Sequence, residues 1–104
     1  MTYHHVTRGP LRLRVMERCQ YEDRGYETLC LIWHGEKDKY GYGRVKRGGR
    51  YIPTHWVFRG DPPEGLEIDH LCYQRDCVEP THLEFVTHGE NVRRAVAYRA
   101  EHRP

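Results

Sequence analysis

GLEIDHLCYQRDCVEPTHLEFVTHGENVRR, residues 65–94, gathers an Asp-His pair, two cysteines, a further histidine at position 82 and an asparagine into one turn-rich stretch. Residues 66–71 alternate as a strand does, and residues 83–86 form a second short run of β-formers after the cysteine-bearing loop. Thr87 and Glu90 then stand in T-x-x-E spacing, which predicts a capped helix start. Val92, Ala95, Val96 and Arg99 recur at steps of three and four, predicting a narrow apolar stripe facing the sheet, with Asn91 in the first helical turn. The predicted order over residues 66–101 is strand, loop, strand, helix.

Three explanations of the clustered side chains compete: a disulfide loop, a structural metal knuckle, or an active site built around one. Cys72, Cys77 and His82 offer two thiolates and an imidazole at x4 spacings, a soft set suited to tetrahedral Zn²⁺. A fourth ligand is required. Cys30, on the predicted strand ETLCLIW, is the better candidate, because Cys19 sits in a poorly patterned arm. Asp69 and Asn91 supply hard oxygen donors that suit Mg²⁺ or a similar ion, which keeps waters and takes further oxygens from a phosphate. Beside them His70, with an expected pKa near neutrality, can deprotonate a water for in-line attack on phosphorus.

Outward from this segment, 104 residues with 38% hydrophobic content allow one domain and one modest core. A chain of that size gains from a disulfide or a bound metal. The N-terminal MTYHHVTRGPLRLRV lacks the apolar core of a signal peptide, and no apolar run approaches the roughly 20 residues of a membrane span. The expectation is a soluble, cytoplasmic chain, a compartment in which closely spaced cysteines bind metal more often than they pair. Residues 1–27 read as a loosely ordered arm with a short helix near Leu11 to Cys19, and residues 28–104 as the single domain. Predicted strands over 28–34, 40–46 and 50–52, the last two joined at Gly48-Gly49, form a small antiparallel sheet, and a short helix follows Pro53. The class is α+β.

The net charge of +2 is unevenly spread. Lys37, Lys39, Arg44, Lys46, Arg47 and Arg50 crowd residues 37–50, residues 60–90 are strongly acidic, and Arg93 and Arg94 open a second basic region. A cation-collecting segment flanked by basic ones suits a protein that holds a divalent ion against a polyanion, though a solvated charged surface has the same composition.

The spacing of Asp69-His70, Cys72, Cys77, His82 and Asn91 resembles that of HNH endonucleases of phages and mobile introns, members of the ββα-metal (His-Me finger) nucleases. It is also similar to the His-Cys box of homing endonucleases. The likeness extends upstream through Cys30-Leu31-Ile32-Trp33, Tyr40-Gly41-Tyr42-Gly43, Gly48-Gly49-Arg50, His55 and Gly60, covering roughly residues 28–94. It implies a zinc-stapled ββα-metal fold acting on double-stranded DNA, with His70 as general base and Asn91 as ligand of a catalytic Mg²⁺ or Mn²⁺. Asp69 matches the HNH branch, where the residue before the base also binds the ion. Cys30, Cys72, Cys77 and His82 match a structural zinc set. Arg50 takes the place of an arginine that contacts the scissile phosphate in the His-Cys box branch, with Arg44 as second choice.

Two departures stand out: Glu79-Pro80 replaces a common Asn-Pro, and His55-Trp56 a common His-Arg. In relatives without cysteines the residue matching His82 orients the base, so a zinc-bound His82 leaves that task to another group, such as a backbone carbonyl. The implied reaction is phosphodiester hydrolysis. The basic hairpin would lie along the backbone or in a groove. A monomer would nick one strand and a homodimer could cut both. The rival from another class is a zinc-stabilised nucleic-acid-binding module without catalysis, which needs the zinc ligands but not Asp69, His70 or Asn91.

Overall fold

The computed structural model describes residues 10–102. A short helix α1 (Leu11–Met16) leads into strand β1 (Cys19–Glu22), which pairs antiparallel with β2 (Cys30–Trp33) in the register Cys19 to Trp33 and Glu22 to Cys30. Residues 19–22 were expected to belong to the arm, and β2 to pair with the hairpin that follows it. The chain turns earlier: the Asp38 carboxylate accepts from the amides of Tyr40 at 2.8 Å and Tyr42 at 3.1 Å, compacting the segment between the two ribbons. Residues 1–9 of the predicted arm lie outside the described residues.

β2 is the structural axis. All four of its residues are buried, and period-two alternation sends Leu31 and Trp33 to one side and Cys30 and Ile32 to the other. The first pair joins Val15 and Val78 in one core cluster, and the second joins Cys72 and Cys77 in another. On its free edge β2 receives the later cysteine loop: the Trp33 amide donates to the Asp76 carbonyl at 2.9 Å and the Val78 amide to Leu31 at 2.7 Å. Backbone pairing thus carries Cys77 to Cys30, forty-seven positions apart in sequence, by a bridge between Ile32 and Cys77.

Strands β3 (Arg44–Arg47) and β4 (Arg50–Pro53) form the expected hairpin, with Gly48 and Gly49 at φ of 60° and 83° in the two-residue turn. Helix α2 (Trp56–Arg59) follows, ending at Gly60. Strands β5 (Glu67–His70) and β6 (Leu83–Val86) pair antiparallel, joined by the cysteine loop and one 3-10 turn (Pro80–His82). Helix α3 (His88–Glu101) then begins at Thr87, whose hydroxyl accepts from the Glu90 amide at 3.1 Å. The result is α+β, three antiparallel ribbons with helices, rather than one continuous sheet. Among the described residues no helix is long and apolar enough to cross a membrane.

The face α3 turns inward corrects the sequence reading. Val92 and Val96 are exposed, whereas Asn91, Arg94, Ala95 and Tyr98 are half-buried. The cause is polar. Arg94 reaches Asp69 at 3.0 Å and Glu84 at 2.6 Å, and these two contacts to the β5–β6 ribbon hold its face of the helix inward, with Glu90 of the same helix at 2.8 Å.

Candidate active site and metal centre

The cysteine loop leaves β5 after His70, and its ligands come from three local devices: a turn at Cys72, the bridge to β2 at Cys77, and the 3-10 turn at His82. The potential ligand atoms of Cys30, Cys72, Cys77 and His82 all lie within 4.8 Å of one another, and all four residues are buried. Nδ1 of His82 stands 3.6 Å from Sγ of Cys30 and 3.5 Å from Sγ of Cys77. A tetrahedral zinc with ordinary Zn–S and Zn–N bonds separates sulfur from nitrogen by about 3.5 Å, which these two edges match. The other ring nitrogen, Nε2, meets the Thr28 hydroxyl at 2.5 Å, the outer contact that fixes a ligating imidazole's orientation. Tyr26 packs edge-on against the same ring at 4.7 Å.

Within the cage the Cys77 thiol donates to Cys72 and holds it down to about 5, against burial, while burial first and then Cys72 push Cys30 up to about 11. A cation would displace the thiol protons on binding. The Cys3His cluster can hold zinc. Cys19 lies elsewhere, half-buried beside the Val15 core, its thiol raised to about 11 by burial.

A second group of side chains lines a cleft of about 260 Å³ between β5 and α3, including Asp69, His70, Asn91, Glu67, Tyr42, Tyr73 and Arg75. Asp69 and His70 come from the end of β5, and Asn91 comes from the first turn of α3, as the strand-loop-strand-helix order implies. Asp69 is 8% exposed and accepts from Arg94 through Oδ2. His70 is 7% exposed, with the His55 ring edge-on at 4.6 Å and Tyr42 at 5.7 Å. Burial pushes His70 down to about 4, only partly offset by the Cys77 backbone and the Asp69 charge. The expected near-neutral value is thus corrected downward, because the ring is desolvated on most sides. The His82 side chain is turned into the cage.

Asn91 donates through Nδ2 to Glu67 Oε1 at 2.5 Å, which leaves its amide oxygen available as a hard ligand. His88 contacts the same carboxylate at 3.2 Å. Sequence reasoning missed Glu67, although its spacing of two from Asp69 on a strand puts both on one face. It also missed Arg75, which lies over the Tyr42 ring at 5.4 Å, donates to the Tyr40 carbonyl at 2.9 Å and lines the cleft.

The basic residues are distributed differently. Arg50 stands at the tip of the β3–β4 hairpin, exposed, and among the described residues it makes no ion pair and does not line the cleft. Arg44 pairs with Glu36 and stacks on Tyr51 at 4.3 Å, and Lys46 lies over the same ring at 5.3 Å. Arg47 pairs with Asp61 at 2.6 Å, Lys37 with Asp76 at 2.9 Å, Arg93 with Glu90 at 2.9 Å, and Lys39 rests over Tyr40 at 5.2 Å.

Comparison with known proteins falls on this same region. Residues 57–93 match the family described as HNH endonuclease. The chain is 31% identical over 83 residues, 78% of its length, to Protein 2.8 of Escherichia phage T7. It is 26% identical over 72 residues, 62% of its length, to the Uncharacterized gene 5.3 protein of Enterobacteria phage T3, of which it covers 71%. The chain spans 56% of the length of the T7 relative. No solved structure matches it.

Proposed function

We propose, from the HNH endonuclease motif that this chain carries over residues 57–93, that it is a metal-dependent DNA endonuclease hydrolysing phosphodiester bonds. The observation that carries the reading is the convergence of Asp69, His70 and Asn91 on one cleft whose connecting loop is stapled by the Cys3His cage. The nuclease unit runs over residues 28–104, with the preceding segment supplying β1 to cover one edge of β2.

His70 is the general base. Burial holds its pKa below the ordinary value, so the imidazole is neutral at pH 7, the form that can accept a proton from water. The His55 and Tyr42 rings pack against the imidazole and hold its orientation, and the Cys77 backbone and Asp69 favour the imidazolium once the proton arrives. Asp69 keeps Oδ1 clear of Arg94, and Asn91 keeps its amide oxygen clear of Glu67, so the pair offers two oxygens to a divalent ion. Such an ion, Mg²⁺ or Mn²⁺, would supply Lewis-acid stabilisation of charge on the phosphate and the leaving oxygen. Arg75 provides positive charge at the cleft wall for the phosphate itself, and Arg50, exposed on the hairpin, reaches along the backbone of double-stranded DNA. The hairpin arginines and lysines make binding strongly salt dependent.

The test is conversion of supercoiled plasmid to nicked or linear forms with Mg²⁺ or Mn²⁺, run beside a His70→Ala variant of equal zinc content. Cleavage by the wild type and its loss in the variant are expected. Equal cleavage by both, or DNA binding with no cleavage under either ion, would leave only a zinc-stabilised binding module. The ratio of linear to nicked product over protein concentration tells whether the chain acts singly or as a homodimer.

A further inference from the structure

Tyr73 is the one non-glycine among the described residues with positive φ, 57°, a region that is costly for a bulky side chain. Its amide is tied to the His70 carbonyl at 3.0 Å, so its backbone conformation is set by the residue that carries the base. The ring it presents is stacked on Tyr98 at 3.7 Å and 19°, and Tyr98 is stacked in turn on His102 at 3.8 Å and 24°. These spacings are close to the ~3.4 Å repeat of stacked bases. The ladder has its far end on the last turn of α3, and its near end, Tyr73, lines the cleft of Asp69, His70 and Asn91 while remaining 40% exposed.

We infer that Tyr73, backed by Tyr98 and His102, is a stacking platform for an unpaired nucleobase of the strand whose phosphate occupies this cleft. The inference rests on the nuclease reading and adds the form of substrate. A base inside a regular duplex has both faces covered by its neighbours, so only a base freed from the stack can extend a protein ladder. A nucleotide with its phosphate at the cleft floor places its own or its neighbour's base at the cleft wall, where Tyr73 stands. The backing rings fix Tyr73 in advance, which lowers the cost of ordering it on binding. The consequence is a preference for DNA with a bulged, mismatched or single-stranded nucleotide at the cut over perfect duplex.

The experiment uses the zinc-loaded full chain in a His70→Ala background, with two oligonucleotide duplexes of identical flanks, one carrying a single bulged 2-aminopurine. Tighter binding of the bulged duplex and quenching of the 2-aminopurine emission are expected. Tyr73→Gly, which accepts the same φ without cost, is expected to lower the bulged-over-duplex preference about tenfold and to abolish the quenching. Tyr73→Phe retains both. Zinc content and far-UV dichroism verify that the variants are folded. A glycine variant that keeps preference and quenching, or a phenylalanine variant that loses them, overturns the platform. Binding of both duplexes without preference or quenching removes the platform alone, whereas failure of the His70→Ala chain to bind any DNA removes the nuclease reading with it.

Discussion

His55 and His70 are both buried and face each other, and burial pushes their pKa values down to about 3 and about 4. Each folded value lies below the ordinary value near 6.5, so the unfolded chain takes up these protons first as pH falls. Stability is complete above about 6.5 and declines with acidification until the folded values are reached. At pH 5 the loss is about 2 kcal/mol for each ring, a large share of the margin of a small domain. Thermal midpoints at pH 7 and pH 5, with bound zinc assayed alongside, should show this decline while the metal is still in place. A flat profile would mean that the rings are hydrated in solution. Glu67 is a different kind of residue, since it touches no reacting atom and acts by holding Asn91. Glu67→Ala is expected to reduce cleavage about 10- to 100-fold, with partial recovery at high Mn²⁺, as outer-shell ligand partners typically behave. Recovery at high divalent ion separates this from a general loss of folding.

At the scale of the element, α3 is held more by its ends and polar contacts than by apolar packing. Its first turn carries Asn91, and Thr87 caps it through the Glu90 amide. The reciprocal arm of a capping box is replaced: the Glu90 carboxylate goes to Arg93 at 2.9 Å and Arg94 at 2.8 Å. Thr87→Ala is therefore expected to cost about 1 kcal/mol, lowering the midpoint of unfolding by roughly 4–8 °C. It should also weaken divalent-ion dependence of cleavage, because Asn91 sits in the turn that frays. An unchanged midpoint would show that Arg94 alone anchors the helix. The β3–β4 hairpin was legible because Gly-Gly between β-formers has few other solutions, and both glycines take the positive φ the turn requires. The rotation of α3 was not legible, since the pattern of Val92 and Val96 carries no information about the carboxylates Arg94 would meet.

Across the whole molecule, two small clusters share β2, and the one containing Cys30, Cys72 and Cys77 is made largely of cage sulfurs. With a core this small, a zinc held in that cage would make a major contribution to folding. Removing zinc with a strong chelator is expected to unfold the β2 and β5–β6 region cooperatively, visible as exposure of Trp33, which is 3% exposed in the folded chain, by a red shift of its fluorescence. Restoring zinc should reverse it. Persistence of the buried Trp33 signal after complete metal removal would show that the backbone bridge between β2 and the loop suffices. Gly43 and Gly35 enclose the same indole: a Cβ on Gly43 would lie 2.4 Å from Trp33 Cδ1, and one on Gly35 2.0 Å from its six-membered ring.

The sequence alone determined the local units: the β5-loop-β6-α3 order, the hairpin, the cap at Thr87 and the spacing of Cys72, Cys77 and His82 that the cage uses. Each of these follows from spacing or from the conformational demands of single residues. Tertiary structure decided which units meet. The pairing of β2 with β1 on one edge and with the cysteine loop on the other, the attachment of Asn91 to Glu67, the entry of Arg75 and Tyr73 into the cleft, and the depressed pKa of His70 all depend on contacts between distant segments and on burial. Periodicity reports which face a residue occupies on its own element. It carries no record of what another element brings to that face, and solvent exclusion, which sets the chemistry of His70, exists only once they pack.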